Sequence, residues 1–271
     1  MKENKIYILL IVFITSCIAF LLPNHYYPWV SIYQDFSAFL ALAIIFTFFL
    51  KKKLILDLKF LFILFISLVP LIQVLFNKIF FFGDGLVAFI YIFSFGLAYI
   101  ATLNLGRKDS IAPYLYFISN IFIFSSIISL YVILKQWLLL TNGGIWMADL
   151  PPNGRPFANF GQPNNCATFL CMGLMACLYL YEKKYINQVC GVLLTSFILF
   201  GITLTQSRTA WAFTFAFLIW WFWKSRYFQI RLSKYSIFYF VGIFLFFIAI
   251  VPYISDYLGV TNTIDARQSK T

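Results

Sequence analysis

Residues 58–76 read LKFLFILFISLVPLIQVLF, an apolar run interrupted by one charge, at Lys59. A helix of that length reaches across the hydrocarbon core of a bilayer, about 30 Å. Runs of the same kind recur at 6–22, 33–50, 86–102, 113–140, 163–181, 188–206, 209–223 and 237–255. The expected fold is therefore all-α, a polytopic integral membrane helix bundle of about nine transmembrane helices filling residues 1–255. The 271-residue chain is 62% hydrophobic and 22% aromatic, with a mean hydropathy of +0.88. A water-soluble core cannot absorb that much apolar surface, and no stretch reads as a separate soluble domain. The run at 113–140 is long for one span, so it is expected to tilt or to lay its end near Lys135-Gln136-Trp137 in the interface.

The net charge of +11 could suggest nucleic acid as a partner. The basic residues instead sit in short blocks between apolar runs, a pattern that fits contact with membrane lipids and excludes nucleic acid. With the N-terminus inside, the cytoplasmic side receives Lys2, Lys5, Lys51-Lys52-Lys53, Lys59, Arg107-Lys108, Lys183-Lys184, Lys224, Arg226, Arg231 and Lys234. Lys78, Lys135, Arg155, Arg208, Arg267 and Lys270 fall outside, so 14 of the 20 basic residues lie inside. Tyr26, Tyr27, Pro28 and Trp29 read as an outer aromatic belt, and Trp220, Trp221 and Trp223 as an inner one.

The N-terminal Met-Lys-Glu-Asn-Lys followed by an apolar run resembles a signal peptide. That run continues past Cys17 to Leu22 without a small-residue exit, which predicts a retained signal anchor. Cys17, Cys166, Cys171, Cys177 and Cys190 all fall in apolar runs without a CxxC pair or a histidine nearby, so they read as buried thiols. Nothing calls for a metal.

Against this background Arg155 to Asn165, Arg-Pro-Phe-Ala-Asn-Phe-Gly-Gln-Pro-Asn-Asn, is a dense polar interruption. Asn142, Gly143, Asn153 and Gly154 mark a true loop before it. Pro163 suits the first position of a helix, and Gln162 is a weak candidate cap ahead of it. A helix starting there directs free N–H groups and the positive dipole end toward the outer face, with Asn164 and Asn165 as added amide groups. An ordinary cap and turn explains the same residues equally well.

The second polar motif is Thr203-Leu204-Thr205-Gln206-Ser207-Arg208-Thr209, a turn too short to carry Arg208 far into water. Ser207 and Thr209 can cap the following helix. An arginine beside a helix N-terminus is unfavourable unless an anion sits there, and a guanidinium grips phosphate bidentately. The plainer alternative is an Arg208 that snorkels to lipid headgroups. Together the two motifs predict a phosphate or pyrophosphate ligand at the outer interface, and a polyprenyl-pyrophosphate glycan fits that chemistry.

Gly154-Arg155-Pro156-Phe157 leading to Phe160-Gly161-Gln162-Pro163-Asn164, with Thr205-Gln206-Ser207-Arg208-Thr209-Ala210-Trp211 at the next outer turn, resembles the bacterial O-linked protein glycosylation ligases. These are the pilin oligosaccharyltransferases, related to the lipopolysaccharide O-antigen ligases. The specific match covers residues 154–212. It implies a glycosyltransferase of the bacterial inner membrane with its site periplasmic. The glycan would pass from undecaprenyl pyrophosphate to a hydroxyl acceptor, Ser/Thr of pilin or of another periplasmic protein, or the lipid A core. No cofactor, metal or nucleotide is implied. Carried over, Arg208 binds the pyrophosphate with help from Arg155, while Gln162, Asn164 and Ser207 shape the site.

The resemblance also implies about twelve membrane helices and a large periplasmic loop whose histidine helps activate the acceptor. Here the sequence reads as stopping where that loop begins, with 256–271 as its start. The chain is thus expected to be C-terminally truncated, without a catalytic residue of its own and inactive alone. His25 reads as an interfacial residue and not as a general base. Three other readings stay open: an O-antigen polymerase, a lipid-linked glycan transporter, and an inactive fragment. A transporter predicts polar groups at mid-membrane depth and an internal repeat, whereas Asp35, Asp57, Asp84, Asp109 and Glu182 cluster at span ends.

Overall fold

The structure, a computed structural model, describes residues 2–23, 31–47, 54–108, 111–140, 144–151, 154–227 and 231–259. His25, the belt from Tyr26 to Trp29, Lys51-Lys52-Lys53, Asp109, Asn142, Gly143, Asn153, Arg267 and Lys270 lie outside them.

The described residues form nine α-helices and no strand. In chain order these are α1 (Lys2–Leu21), α2 (Ile32–Phe46), α3 (Leu58–Leu75), α4 (Phe82–Lys108) and α5 (Ala112–Trp137). After a single 3₁₀ turn at Gly144–Trp146 come α6 (Pro163–Glu182), α7 (Gln188–Leu204), α8 (Arg208–Tyr227) and α9 (Lys234–Tyr257). Each expected span therefore corresponds to a helix. Five of them, α3, α4, α5, α6 and α9, are long and apolar enough to cross a membrane; α1, α2 and α7 carry shorter apolar stretches. Charge at both ends of α8, Arg208, Lys224 and Arg226, dilutes an otherwise apolar helix.

The chain divides into two compact units, residues 1–16 with 35–115 and residues 17–34 with 116–271. In the first, α3 and α4 form a helical hairpin. Gly85 lets them approach, since a Cβ there would stand 2.3 Å from Val74 Cγ2. At the other end of the hairpin the Asn104 carboxamide pairs with the backbone of Ile55 in both directions, at 2.9 and 3.0 Å. Asp57 caps α3 by accepting from Phe60 N–H at 2.9 Å and is also bonded by the Tyr99 hydroxyl. Those bonds, Tyr99 first, hold the Asp57 carboxyl below the ordinary aspartate range.

The second unit holds both polar motifs. Its core is built from α5 to α9, with Ile133, Leu170, Leu174, Ile198, Ile202 and Phe244 fully or almost fully buried. Small residues set the spacing: Cβ atoms on Gly173 and Gly201 would meet Ser126 Oγ at 2.1 Å and Leu130 Cδ1 at 2.8 Å. Close helix approach at small residues is how membrane helices gain dispersion contact where no hydrophobic driving force exists between them. Cys17, Cys166, Cys171 and Cys177 are buried and Cys190 half-buried, all as free thiols.

α5 ends at Trp137, short of the expected limit at 140. Leu139 turns left-handed (φ +57°), Leu140 N–H bonds Lys135 C=O at 2.8 Å and Leu139 N–H bonds Gln136 C=O at 3.2 Å. This is a Schellman ending made without glycine. The apolar Leu138-Leu139-Leu140 gave the sequence no sign of it.

Candidate functional site

The loop before α6 is held from within by two carboxamides. Gln136, on the last turn of α5, is buried. Its Oε1 accepts from Phe157 N–H (3.0 Å) and Ala158 N–H (2.8 Å), and its Nε2 donates to Ala148 C=O (3.0 Å) and Ala158 C=O (2.8 Å). Ala158 is left-handed (φ +51°), a strained conformation for a residue with a Cβ, and both its peptide groups are fastened to one side chain.

Asn159 repeats the device. Its Oδ1 accepts from Ala148 N–H at 2.9 Å, and its Nδ2 donates to Leu21 C=O (2.6 Å) and Trp146 C=O (3.0 Å). Gln34 adds a bond to Asn159 C=O at 3.1 Å and one to Leu22 C=O at 2.6 Å. Polar networks fully satisfied in an apolar setting are rigid, because each broken bond leaves a desolvated group. Phe160 packs its ring, tilted, at 4.7 Å from that of Phe169 of α6 and so fixes the end of the loop to the helix that follows.

On this scaffold α6 begins as the sequence indicates, with Pro163 in its first turn. Gln162 occupies the cap position in extended backbone but makes no capping bond; its side chain is exposed. The cap of α8 is Ser207, whose Oγ accepts from Thr209 N–H at 3.2 Å. The same hydroxyl donates to Asn164 Oδ1 at 2.7 Å, which joins the first turn of α6 to the start of α8. Arg155 makes the second link, its Nη1 donating to Gln206 C=O at 2.8 Å. Gln206 is itself left-handed (φ +48°), the residue where the chain reverses between α7 and α8.

Asn164 and Ser207 are thus joined by a direct bond and Arg155 is tied to Gln206 next to Ser207, so that two helix N-termini meet at one end of the unit. Arg208, the first residue of α8, is exposed and has no hydrogen-bond or ion-pair partner among the described residues. It borders a cavity of about 210 Å³ whose polar wall is Thr203, Gln206, Ser207 and Arg208. Trp211 and the α9 residues Phe244, Ile248, Val251 and Pro252 form the opposite, apolar wall. Trp211 meets Phe244 edge to face at 5.4 Å. Gln162 stands apart from this cavity, on the exposed rim of α6. The arrangement suits an amphipathic anion, one end against a guanidinium and a helix dipole, the other against aromatic and aliphatic carbon.

Gln136 and Asn159 were missed as site-building residues. For Gln136 the signal available was a carboxamide inside an apolar run and for Asn159 its place in the polar stretch Arg155–Asn165, but their partners lie up to 138 positions away in the chain and cannot be read from spacing.

The family described as protein glycosylation ligase matches residues 156–181, the end of the clamped loop and nearly all of α6. The chain is 33% identical over 231 residues to the general O-oligosaccharyltransferase of Acinetobacter baylyi, an alignment covering 85% of this chain and 40% of that protein. It is 29% identical over 197 residues to the ComP-specific O-oligosaccharyltransferase of the same organism, covering 71% of this chain and 35% of that one. The chain spans about two fifths of the length of these curated relatives. No solved structure matches it significantly. The resemblance to the O-linked protein glycosylation ligases read at residues 154–212 is borne out by these relatives.

Proposed function

We propose that this chain is membrane-embedded machinery of an O-oligosaccharyltransferase, holding a polyprenyl-pyrophosphate glycan while the glycan passes to a hydroxyl on a protein. The observation that carries the proposal is the bonded junction of the two polar motifs, Arg155 to Gln206 and Asn164 to Ser207, beside the exposed Arg208. In the transfer, the bond from the anomeric carbon to the pyrophosphate oxygen breaks and a bond to the acceptor oxygen forms. The acceptor's proton goes to a base outside the described residues. Negative charge grows on the departing pyrophosphate, where Arg208 and the N-termini of α6 and α8 stabilise it; such fixed, preorganised charge lowers the barrier.

The names of the relatives support a protein acceptor; pilin, with Ser or Thr as the accepting residue, is the reading carried from the family resemblance. Undecaprenyl pyrophosphate as the donor lipid suits the two-faced cavity, with its prenyl chain along Trp211 and α9. The basic residues support placement in the bacterial inner membrane with the N-terminus cytoplasmic and the site periplasmic. Asn164 would shape the mouth by holding Ser207.

Photocrosslinking tests the proposal. A polyprenyl pyrophosphate carrying a diazirine next to the pyrophosphate should label Trp211 or its neighbours on α8 and α9, and excess unlabelled lipid pyrophosphate should suppress the label. Labelling spread evenly over the lipid-facing helices, and insensitive to competitor, would overturn it.

A further inference from the structure

A second cavity, of about 400 Å³, opens at the other end of the same unit, between α6, α7, α8 and α9. Along α7 it involves Gln188, Gly191, Val192 and Thr195, whereas the site above takes Thr203 near the other end of the helix; from Gly191 to Thr203 the helix rises about 18 Å. Its lining is mainly apolar, with Phe217 and Phe240 among its walls, and Gln188, Thr195 and Tyr239 add polar groups. The Tyr239 hydroxyl bonds Ser196 Oγ and reaches Val192 C=O at 3.4 Å, which ties α9 to α7 and fixes the width of the cleft.

The mouth differs in chemistry. Tyr181 and Tyr235 line it, and each carries a cation on its ring: Arg231 at 4.2 Å and Lys234 at 5.4 Å. The N-terminus of α9 also opens there, capped by Ser233, whose Oγ accepts from Ser236 N–H at 3.3 Å. Lys183 and Lys184 follow Tyr181 in the chain. The nearby acid, Glu182, accepts from Arg231 N–H at 2.7 Å through Oε1, while its Oε2 is buried without a partner among the described residues; Arg231 Nη1 donates to Tyr181 C=O at 2.7 Å, which holds the guanidinium at the mouth. An apolar slot between helices, rimmed by cations, hydroxyls and a positive helix end, matches an anionic headgroup carrying an acyl chain.

We propose that the cleft binds an anionic phospholipid, its phosphate at Arg231, Lys234 and the start of α9, and one acyl chain between Phe217 and Phe240. The site is independent of the pyrophosphate reading and needs only the membrane setting of the chain.

Native mass spectrometry of the protein from nanodiscs holding equal phosphatidylglycerol and phosphatidylethanolamine tests it. The wild-type protein should retain phosphatidylglycerol on the order of tenfold more than phosphatidylethanolamine. Arg231→Gln with Lys234→Gln should erase that preference while the protein stays helical, and Thr195→Trp, which fills the slot, should release the lipid. Equal retention of the two lipids by the wild type, or a preference that survives both variants, would overturn the proposal. So would recovery of a polyprenyl phosphate or a second copy of the chain in the cleft.

Discussion

At Arg208 the chain places a guanidinium one residue after a helix cap, where the helix dipole already concentrates positive charge. Two positive elements together destabilise the empty site and favour an anion in it. Arg208→Lys keeps the charge but loses the bidentate grip, so affinity for a lipid pyrophosphate should fall about tenfold in a vesicle-binding titration. Ser207 has a different role: its hydroxyl caps α8 and donates to Asn164. Ser207→Ala removes both bonds and should lower stability by about 2 kcal/mol, read as a lower melting temperature in detergent, while Ser207→Thr restores most of it. Asp57 makes a pH prediction in the other unit. Its carboxyl is held below the ordinary range, so the charged form supports the fold above the ordinary aspartate range, and the support fades as pH falls through the lowered value. Asp57→Ala should therefore lower the melting temperature at neutral pH, and the gap to wild type should close in strong acid.

Among the elements, the clamped loop from Gly154 to Gln162 decides whether the two motifs meet. Gln136→Leu preserves volume but leaves the N–H groups of Phe157 and Ala158 and the C=O groups of Ala148 and Ala158 without their partner. A loss of about 3 kcal/mol is expected, with deuterium exchange rising at Phe157 and Ala158 before the helices are affected. Unchanged protection there would show that the loop is held by other means. The helices themselves were legible in the sequence, because a bilayer demands long apolar runs and Pro163 and Ser207 mark where two of them start. The loop was not legible. Ala158, Gln206 and Leu139 adopt left-handed backbone without being glycine, and what holds Ala158 there is a side chain more than twenty positions away. At the junction the sequence showed two polar motifs near one face; only the bonds Arg155–Gln206 and Ser207–Asn164 make them one site.

For the molecule as a whole, the claim is an amphipathic anion site at one end of the second unit, facing the periplasm. Orientation can be checked in intact cells with a membrane-impermeant maleimide. Asn165→Cys, exposed in the first turn of α6, should label from outside, and Lys184→Cys, exposed after α6, only after permeabilisation; four of the five native thiols are buried and add little background. The reverse pattern would place both motifs in the cytoplasm. The most direct measurement is titration of undecaprenyl pyrophosphate into the protein in nanodiscs, with wild type and Arg208→Ala side by side. Saturable binding by wild type, weakened at least about tenfold by the substitution while helicity is unchanged, is the predicted result. Equal affinity in the two proteins would contradict a pyrophosphate role for Arg208 and with it the proposed site.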